Sequence, residues 1–159
     1  MNKISVVLFW CVLLISSASF SQSKKEIKKF RIKSITEINI EKGKSVFESK
    51  CTYNKDGLLL EEISYTKEGA VKEISKFKYN SAKDEIEVAV YTPNNQLKQK
   101  TTKVYNALGE KTEESVFDED LKLTKKFVYT YNKQGLKTER KTFDGAGQLT
   151  SVRKYNYQF

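Results

Sequence analysis

Four glutamates recur at one fixed interval: Glu61, Glu87, Glu113 and Glu139. A row of evenly spaced carboxylates could hold cations, or carry acid/base work on a glycan. Inverting glycoside hydrolases keep their two carboxyl groups roughly 6.5–9.5 Å apart, leaving room for a water. If every strand pairs with its sequence neighbour, equivalent glutamates fall two strands, or roughly 9.6 Å, apart. The competing reading is a solvent-face ladder, each Glu paired with a Lys or Arg on the strand between. An excess of 29 basic over 20 acidic residues favours the ladder.

The aromatics pose the same choice. Seven of nine tyrosines, Tyr65, Tyr91 and Tyr131 among them, fall in phased positions beside turns. Aromatic rows on an exposed sheet can stack on sugar rings or bases, and flanking cations add affinity for anionic polymers. Alternatively the rings pack across strands near hairpin ends, buried at the ring and wet at the hydroxyl. The densest basic patch is Lys24, Lys25, Lys28, Lys29, Arg31 and Lys33, with Glu26 the one acid among them. Lys24, Lys25, Lys28, Lys29 and Arg31, with Tyr65, Tyr91 and Tyr131, are the candidate ligand contacts.

Other chemistry is poorly provided for. The chain has no histidine, which removes the commonest general base and every Ser-His or Cys-His pair. Asp118, Glu119 and Asp120 form an acidic cluster without the ligand spacing and glycine of a calcium loop, and read as a solvated turn. There is no phosphate loop, zinc spacing or Gly-x-Ser-x-Gly. No catalytic residue, cofactor or metal is expected.

Residues 1–21 read as a secretory signal peptide: Lys3, an apolar run from Val6 to Ile15, then small residues interrupted by Phe20. Ten apolar residues span about half a bilayer core as a helix, which disfavours a permanent anchor. Cleavage after Ser21 leaves Gln22 first; cleavage after Ala18 is the other option. Cys11 lies inside the apolar run behind Phe9 and Trp10, a poor context for lipidation. The remaining chain carries a net charge of +8 and one cysteine, Cys51, so it has no internal disulfide and Cys51 reads as a small buried hydrophobe. Export disfavours a nucleic-acid partner despite a pI of about 9.4.

The elements that position these residues follow from the repeat. Tyr53, Tyr79, Tyr105, Tyr131 and Tyr157 keep the same period as the glutamates. Tyr65, Tyr91, Phe117 and Phe143 share it about half a repeat later, and Val71, Leu97, Leu123 and Leu149 follow close behind. Each aromatic precedes turn chemistry, as in Asn54-Lys55-Asp56-Gly57 or Asp144-Gly145-Ala146-Gly147. Asn, Asp or Thr at the first position bonds nearby backbone, and Gly at the fourth accepts positive φ. Pro93 sits at the second position, where its fixed φ fits. Lys83 and Leu121 occupy the glycine slot, so those turns should be strained or differently wound.

Between turns lie segments of eight to ten residues rich in Val, Ile, Thr, Tyr and Phe, with period-two spacing. Residues 27–52 read as a degenerate first copy, with Gly43 in the glycine slot and Asn39 replacing the aromatic. Residues 22–29 read as a basic, flexible and frayed segment.

The stretch Tyr129-Thr130-Tyr131-Asn132-Lys133-Gln134-Gly135-Leu136, then Phe143-Asp144-Gly145-Ala146-Gly147-Gln148-Leu149, then Tyr155-Asn156-Tyr157 resembles the YD (RHS-type) repeat. That family reads roughly Tyr-x-Tyr-Asp-x-x-Gly-x-Leu, with Asn able to replace Asp. The likeness is best over 129–157, and earlier copies keep the aromatic and the turn. It implies a hairpin-repeat sheet. The enclosing shell of large YD-repeat proteins needs more copies than this chain has.

The expected fold is all-β: residues 30–159 form tandem 26-residue hairpins in one long, twisted or curled antiparallel meander of about nine to eleven strands. A half-barrel or a fold-over into two layers would suit so long a sheet. The expected role is an exported, non-enzymatic binding or scaffold protein of a bacterial envelope or exterior. It would be secreted or periplasmic and not integral to the membrane after cleavage, with an envelope polysaccharide or another envelope protein as partner. The alternatives are a glycan-processing hydrolase with paired carboxylates and an immunity-type partner of a secreted toxin.

Overall fold

A computed structural model describes residues 23–159. The leader and its cleavage site lie outside the described residues. One short helix, α1 (Lys24–Phe30), precedes ten strands: β1 (Ser34–Glu41), β2 (Lys44–Tyr53), β3 (Leu59–Tyr65), β4 (Val71–Tyr79) and β5 (Glu85–Tyr91), followed by β6 (Leu97–Tyr105), β7 (Lys111–Phe117), β8 (Leu123–Tyr131), β9 (Lys137–Asp144) and β10 (Leu149–Lys154). They form one open antiparallel sheet in chain order. Each strand pairs only with its sequence neighbours, and among the described residues no large side chain is fully buried, as fits a single layer rather than a fold-over into two. A β-bulge recurs beside the phased aromatics, for example between Ser64 and Tyr65 and between Lys78 and Tyr79. Among the described residues no helix is long and apolar enough to cross a membrane.

The turns explain the regularity. In 54–57 the Asn54 side-chain oxygen accepts from the N–H of Asp56 (2.9 Å) and of Leu58 (3.0 Å). The same pair of bonds recurs at Asn106, Asp118, Asn132 and Asp144. The fourth residue is left-handed throughout, whether Gly109 (φ 77°) or the side-chain-bearing Lys83 (φ 71°), Asn95 (φ 60°) and Leu121 (φ 60°). Lys83 and Leu121 are therefore wound like their glycine counterparts and carry the strain of that region. The first hairpin departs from the series: Lys42 (φ 50°) and Gly43 (φ 78°) form a two-residue turn, both left-handed, as a type I′ turn requires.

A series of tyrosines fastens four of the five hairpins at their open ends. The hydroxyls of Tyr79, Tyr105, Tyr131 and Tyr157 donate to the backbone carbonyls of Leu59, Glu85, Lys111 and Lys137, each 20 residues earlier, at 2.8–3.1 Å. Each bond ties the end of one hairpin's second arm to the start of its first. These bonds matter because the sheet is lean. Among the described residues the buried ones are Ile27, Gly57, Leu58, Ala89, Tyr129 and Thr142, and no large side chain is completely buried. Stability in such a sheet rests on cross-strand pairs of about 0.2–1 kcal/mol each rather than on a deep core.

The frayed reading of 22–29 is corrected from Ser23 onward. Ser23 and Glu26 form a reciprocal capping box, which satisfies N–H groups that a short helix otherwise leaves bare. Arg31 closes α1 in the left-handed conformation (φ 52°). Ile27, on α1, is 3% exposed, and Lys28 pairs with Asp56 at 3.7 Å. The helix lies against the 54–57 turn so closely that a Cβ on Gly57 would meet the Lys24 carbonyl at 2.6 Å.

Candidate functional site

The meander places the turns alternately at the two ends of the sheet, and period two distributes the side chains between its faces. Glu61 stands opposite Lys76, Lys76 opposite Ala89, Ala89 opposite Lys100, and Lys100 opposite Phe117. This first face therefore carries Ile63 and Tyr65 on β3, and Glu87 and Tyr91 on β5. The second face carries Val116, its partner Lys125, and then Phe127, Tyr129 and Tyr131 on β8.

The candidate tyrosines consequently do not converge. Tyr65 and Tyr91 share a face and an end, while Tyr131 lies on the opposite face at the other end. Tyr65 lies 5.9 Å from Phe47, centroid to centroid, in a shallow cleft of about 280 Å³ that Asn39, Glu41, Glu48 and Lys67 also line. The Lys76 ammonium lies over Tyr91 at 5.2 Å. The hydroxyl of Tyr131 is engaged by the Lys111 carbonyl at 2.8 Å. Lys24, Lys25, Lys28 and Lys29 are all on α1, Arg31 caps it, and Lys33 follows, its carbonyl accepting from the Tyr53 N–H at 2.9 Å. The basic patch sits at the β2–β3 turn, apart from all three candidate tyrosines.

The glutamate row is displaced from the position the sequence implies. Two strands from Glu61 the facing residue is Ala89, not Glu87. From Glu87 it is Ser115, and from Glu113 it is Lys141. Every repeat slips by two residues. Two residues of rise added to two strand spacings put equivalent backbone positions about 12 Å apart, beyond the separation paired hydrolytic carboxylates need. Glu87 takes Lys78 and Lys100 at 2.8 Å each, and these ammonium groups hold its carboxyl below the usual range. Glu113 pairs with Lys126 at 2.8 Å. Glu139 pairs with Lys141 of its own strand at 3.3 Å, a partner the ladder reading did not anticipate. Lys122 neutralises Asp120 in the acidic turn at 3.0 Å.

Cys51 is half-buried beside Tyr53 and Glu62, and desolvation pushes its thiol up from the ordinary value. The Tyr53 hydroxyl is pushed up to about 12, first by desolvation and then by the charge of Cys51. A thiol in this setting is a poor nucleophile.

The densest arrangement of cations and rings was not among the candidates. Tyr129 is 9% exposed, with Lys137 at 4.5 Å and Lys111 at 5.0 Å over its ring. Lys137 also lies 6.0 Å from Tyr155. Arg140, directly opposite Tyr129, lays its guanidinium over Phe127 at 5.4 Å. The sequence signal for this strip was period two on β8 combined with a cation-rich β9. It was obscured because Tyr129 and Tyr155 stand outside the two long aromatic series.

These features define an extended, single-layer hairpin-repeat sheet with cation–aromatic surfaces. The chain belongs to a protein family described as "Uncharacterised protein", which matches residues 33–156. No curated protein matches the sequence. Among solved structures it is similar to part of the TcdB2–TccC3 complex with Cdc42, at 13% identity and a TM-score of 0.45, over 76% of this chain and 9% of that one. It is also similar to a protein of unknown function from Bacteroides fragilis, at 17% identity and a TM-score of 0.42, over 80% of this chain and 96% of that one. A third likeness is to TarM, at 17% identity and a TM-score of 0.32, over 79% of this chain and 22% of that one.

Proposed function

We propose that this protein is an exported, non-enzymatic binding or scaffold module of a bacterial envelope or exterior, built from YD-type hairpin repeats. One observation carries the reading: the phased residues that could do chemistry are occupied by the architecture. The tyrosine hydroxyls at the open hairpin ends hold backbone carbonyls, and three of the four phased glutamates hold lysines. What the sheet offers a partner is a broad surface of rings and cations, suited to an envelope polysaccharide or another envelope protein. The n-region, apolar run and small-residue tract of 1–21 support export.

The test has two arms. Protein recovered outside the cytoplasm should begin near Gln22 by mass spectrometry, and a chain retaining Met1 would refute export. The purified mature chain, used as bait on an envelope extract, should retain a partner without altering it. Turnover of an envelope polysaccharide that disappears in Glu87→Gln or Glu113→Gln would overturn the non-enzymatic reading.

A further inference from the structure

Arg140 and Arg153 stand directly opposite each other across β9 and β10. Facing residues in an antiparallel pair have Cβ atoms about 5 Å apart on one side of the sheet, and like charges placed so repel. The surrounding acids do not relieve them. Glu114, which shares their face, is taken by Lys111, while Glu113 and Glu139 lie on the opposite face. Asp144, opposite Lys125 on the same face, accepts from the N–H groups of Ala146 and Gln148 in its own turn.

Among the described residues, two polar atoms beside this pair are buried without a hydrogen-bond partner: Nε of Arg140 and Oγ1 of Thr142. They lie two residues apart on the same face of β9, and Thr142 is 8% exposed. Buried donors in folded proteins are nearly always satisfied, so an orphaned pair next to cations that have no acidic partner among the described residues needs a reason. Lys137, further along β9 on that side, adds a third cation over the rings of Tyr129 and Tyr155.

We infer that Arg140, Arg153, Lys137 and Thr142 form an anion-binding site that takes the carboxylates of an acidic polysaccharide. The inference rests on the reading of this chain as an exported binding module. An Arg guanidinium presents a planar fork of donors that matches a carboxylate, and a carboxylate between Arg140 and Arg153 converts repulsion into two charge-assisted contacts. Phe127 and Tyr155, both half-buried, supply ring surface beside the charges, and an open sheet face accommodates a chain of sugars. The site lies on β9 and β10, far in sequence from the basic helix α1.

The test is a titration of the mature chain with polygalacturonate, a carboxylated polysaccharide, with neutral dextran alongside. Binding at low salt should weaken steeply as salt rises, because Arg153 is exposed and salt screens its attraction for the polymer's carboxylates. Arg153→Gln should weaken it tenfold or more, and Arg140→Gln with Arg153→Gln should abolish it. Arg153 is exposed, so its single variant keeps the test valid if the double variant does not fold. Without ligand, Arg153→Gln should melt no lower than the parent, since it removes a repulsion. Replacing Lys24, Lys25, Lys28 and Lys29 by Gln should leave most of the affinity. Absence of polygalacturonate binding at low salt would overturn the site, as would affinity that follows the α1 lysines or is matched by dextran. Tighter binding of a single-stranded oligonucleotide would overturn the choice of polysaccharide. A partner retained from envelope extract equally by parent and Arg153→Gln would overturn this site while leaving the binding-module reading intact.

Discussion

Two chemically identical substitutions, Gly57→Ala and Gly109→Ala, separate the strain of a turn from the docking of α1. Both glycines close the same four-residue turn with nearly the same backbone, φ 75° and 77°. An added Cβ incurs the left-handed strain in each, about 1 kcal/mol. At Gly109 it meets nothing within 4 Å, so the cost stops there. At Gly57 it meets the Lys24 carbonyl at 2.6 Å and the Lys28 N–H nitrogen at 3.2 Å. These are backbone atoms of a helix, which cannot rotate aside as a side chain would. Helix α1 must move, exposing Ile27, whose burial is worth at most about 1.5–3 kcal/mol. Gly57→Ala should therefore cost about 2–4 kcal/mol in total, against about 1 kcal/mol for Gly109→Ala. Urea denaturation followed by circular dichroism measures both losses. Amide hydrogen exchange at Ile27 and Ile32 reports α1 separately, since the Ile32 N–H donates to the Ile27 carbonyl at 3.0 Å. Equal losses at the two glycines, with unchanged exchange in α1, would refute the docking argument.

Tyr105→Phe and Tyr131→Phe should each destabilise by about 1 kcal/mol through loss of the hydroxyl's bond to a backbone carbonyl, as denaturant midpoints will show. Leu121→Gly should stabilise by up to about 1 kcal/mol, because Leu121 is left-handed and 56% exposed; an unchanged or lower midpoint would contradict the strain. Tyr53 keeps its proton in the folded state up to about 12, against 10.0 when unfolded. Between those values the unfolded chain ionises first, so stability should fall as pH rises from about 10 to about 12, and Tyr53→Phe should reduce that slope in alkaline titrations of the midpoint.

Much of this architecture is legible in one sequence because its determinants are local. A regular spacing of aromatics, each followed by Asn, Asp or Thr and then Gly, dictates where the chain reverses and which way it winds. Leu121 and Lys83 show how firmly: the bonds from Asp118 and Asn80 in their turns bring even side-chain-bearing residues into the left-handed region. The meander order follows, since short turns leave each strand only its neighbour to pair with. The helical character of 24–30 was harder to read. So short a segment has no sustained period, and it depends on the Ser23–Glu26 cap and on contact with the turn at Gly57, well beyond it in the chain.

The arrangement of the candidate residues was legible only in part, and the reason is register. Period two assigns Tyr65 and Tyr131 to faces within their own strands, but bulges decide which faces coincide across the sheet, and here the two residues fall on opposite sides. The two-residue slip per repeat likewise separates glutamates that the sequence aligns. Conversely, Arg140 and Arg153 belong to no phased series, yet the β9–β10 hairpin sets them face to face. Local turn chemistry determined the strands and their order; only the long-range pairing of those strands decided which charges meet, because electrostatic contacts depend on distance in space and not on distance along the chain.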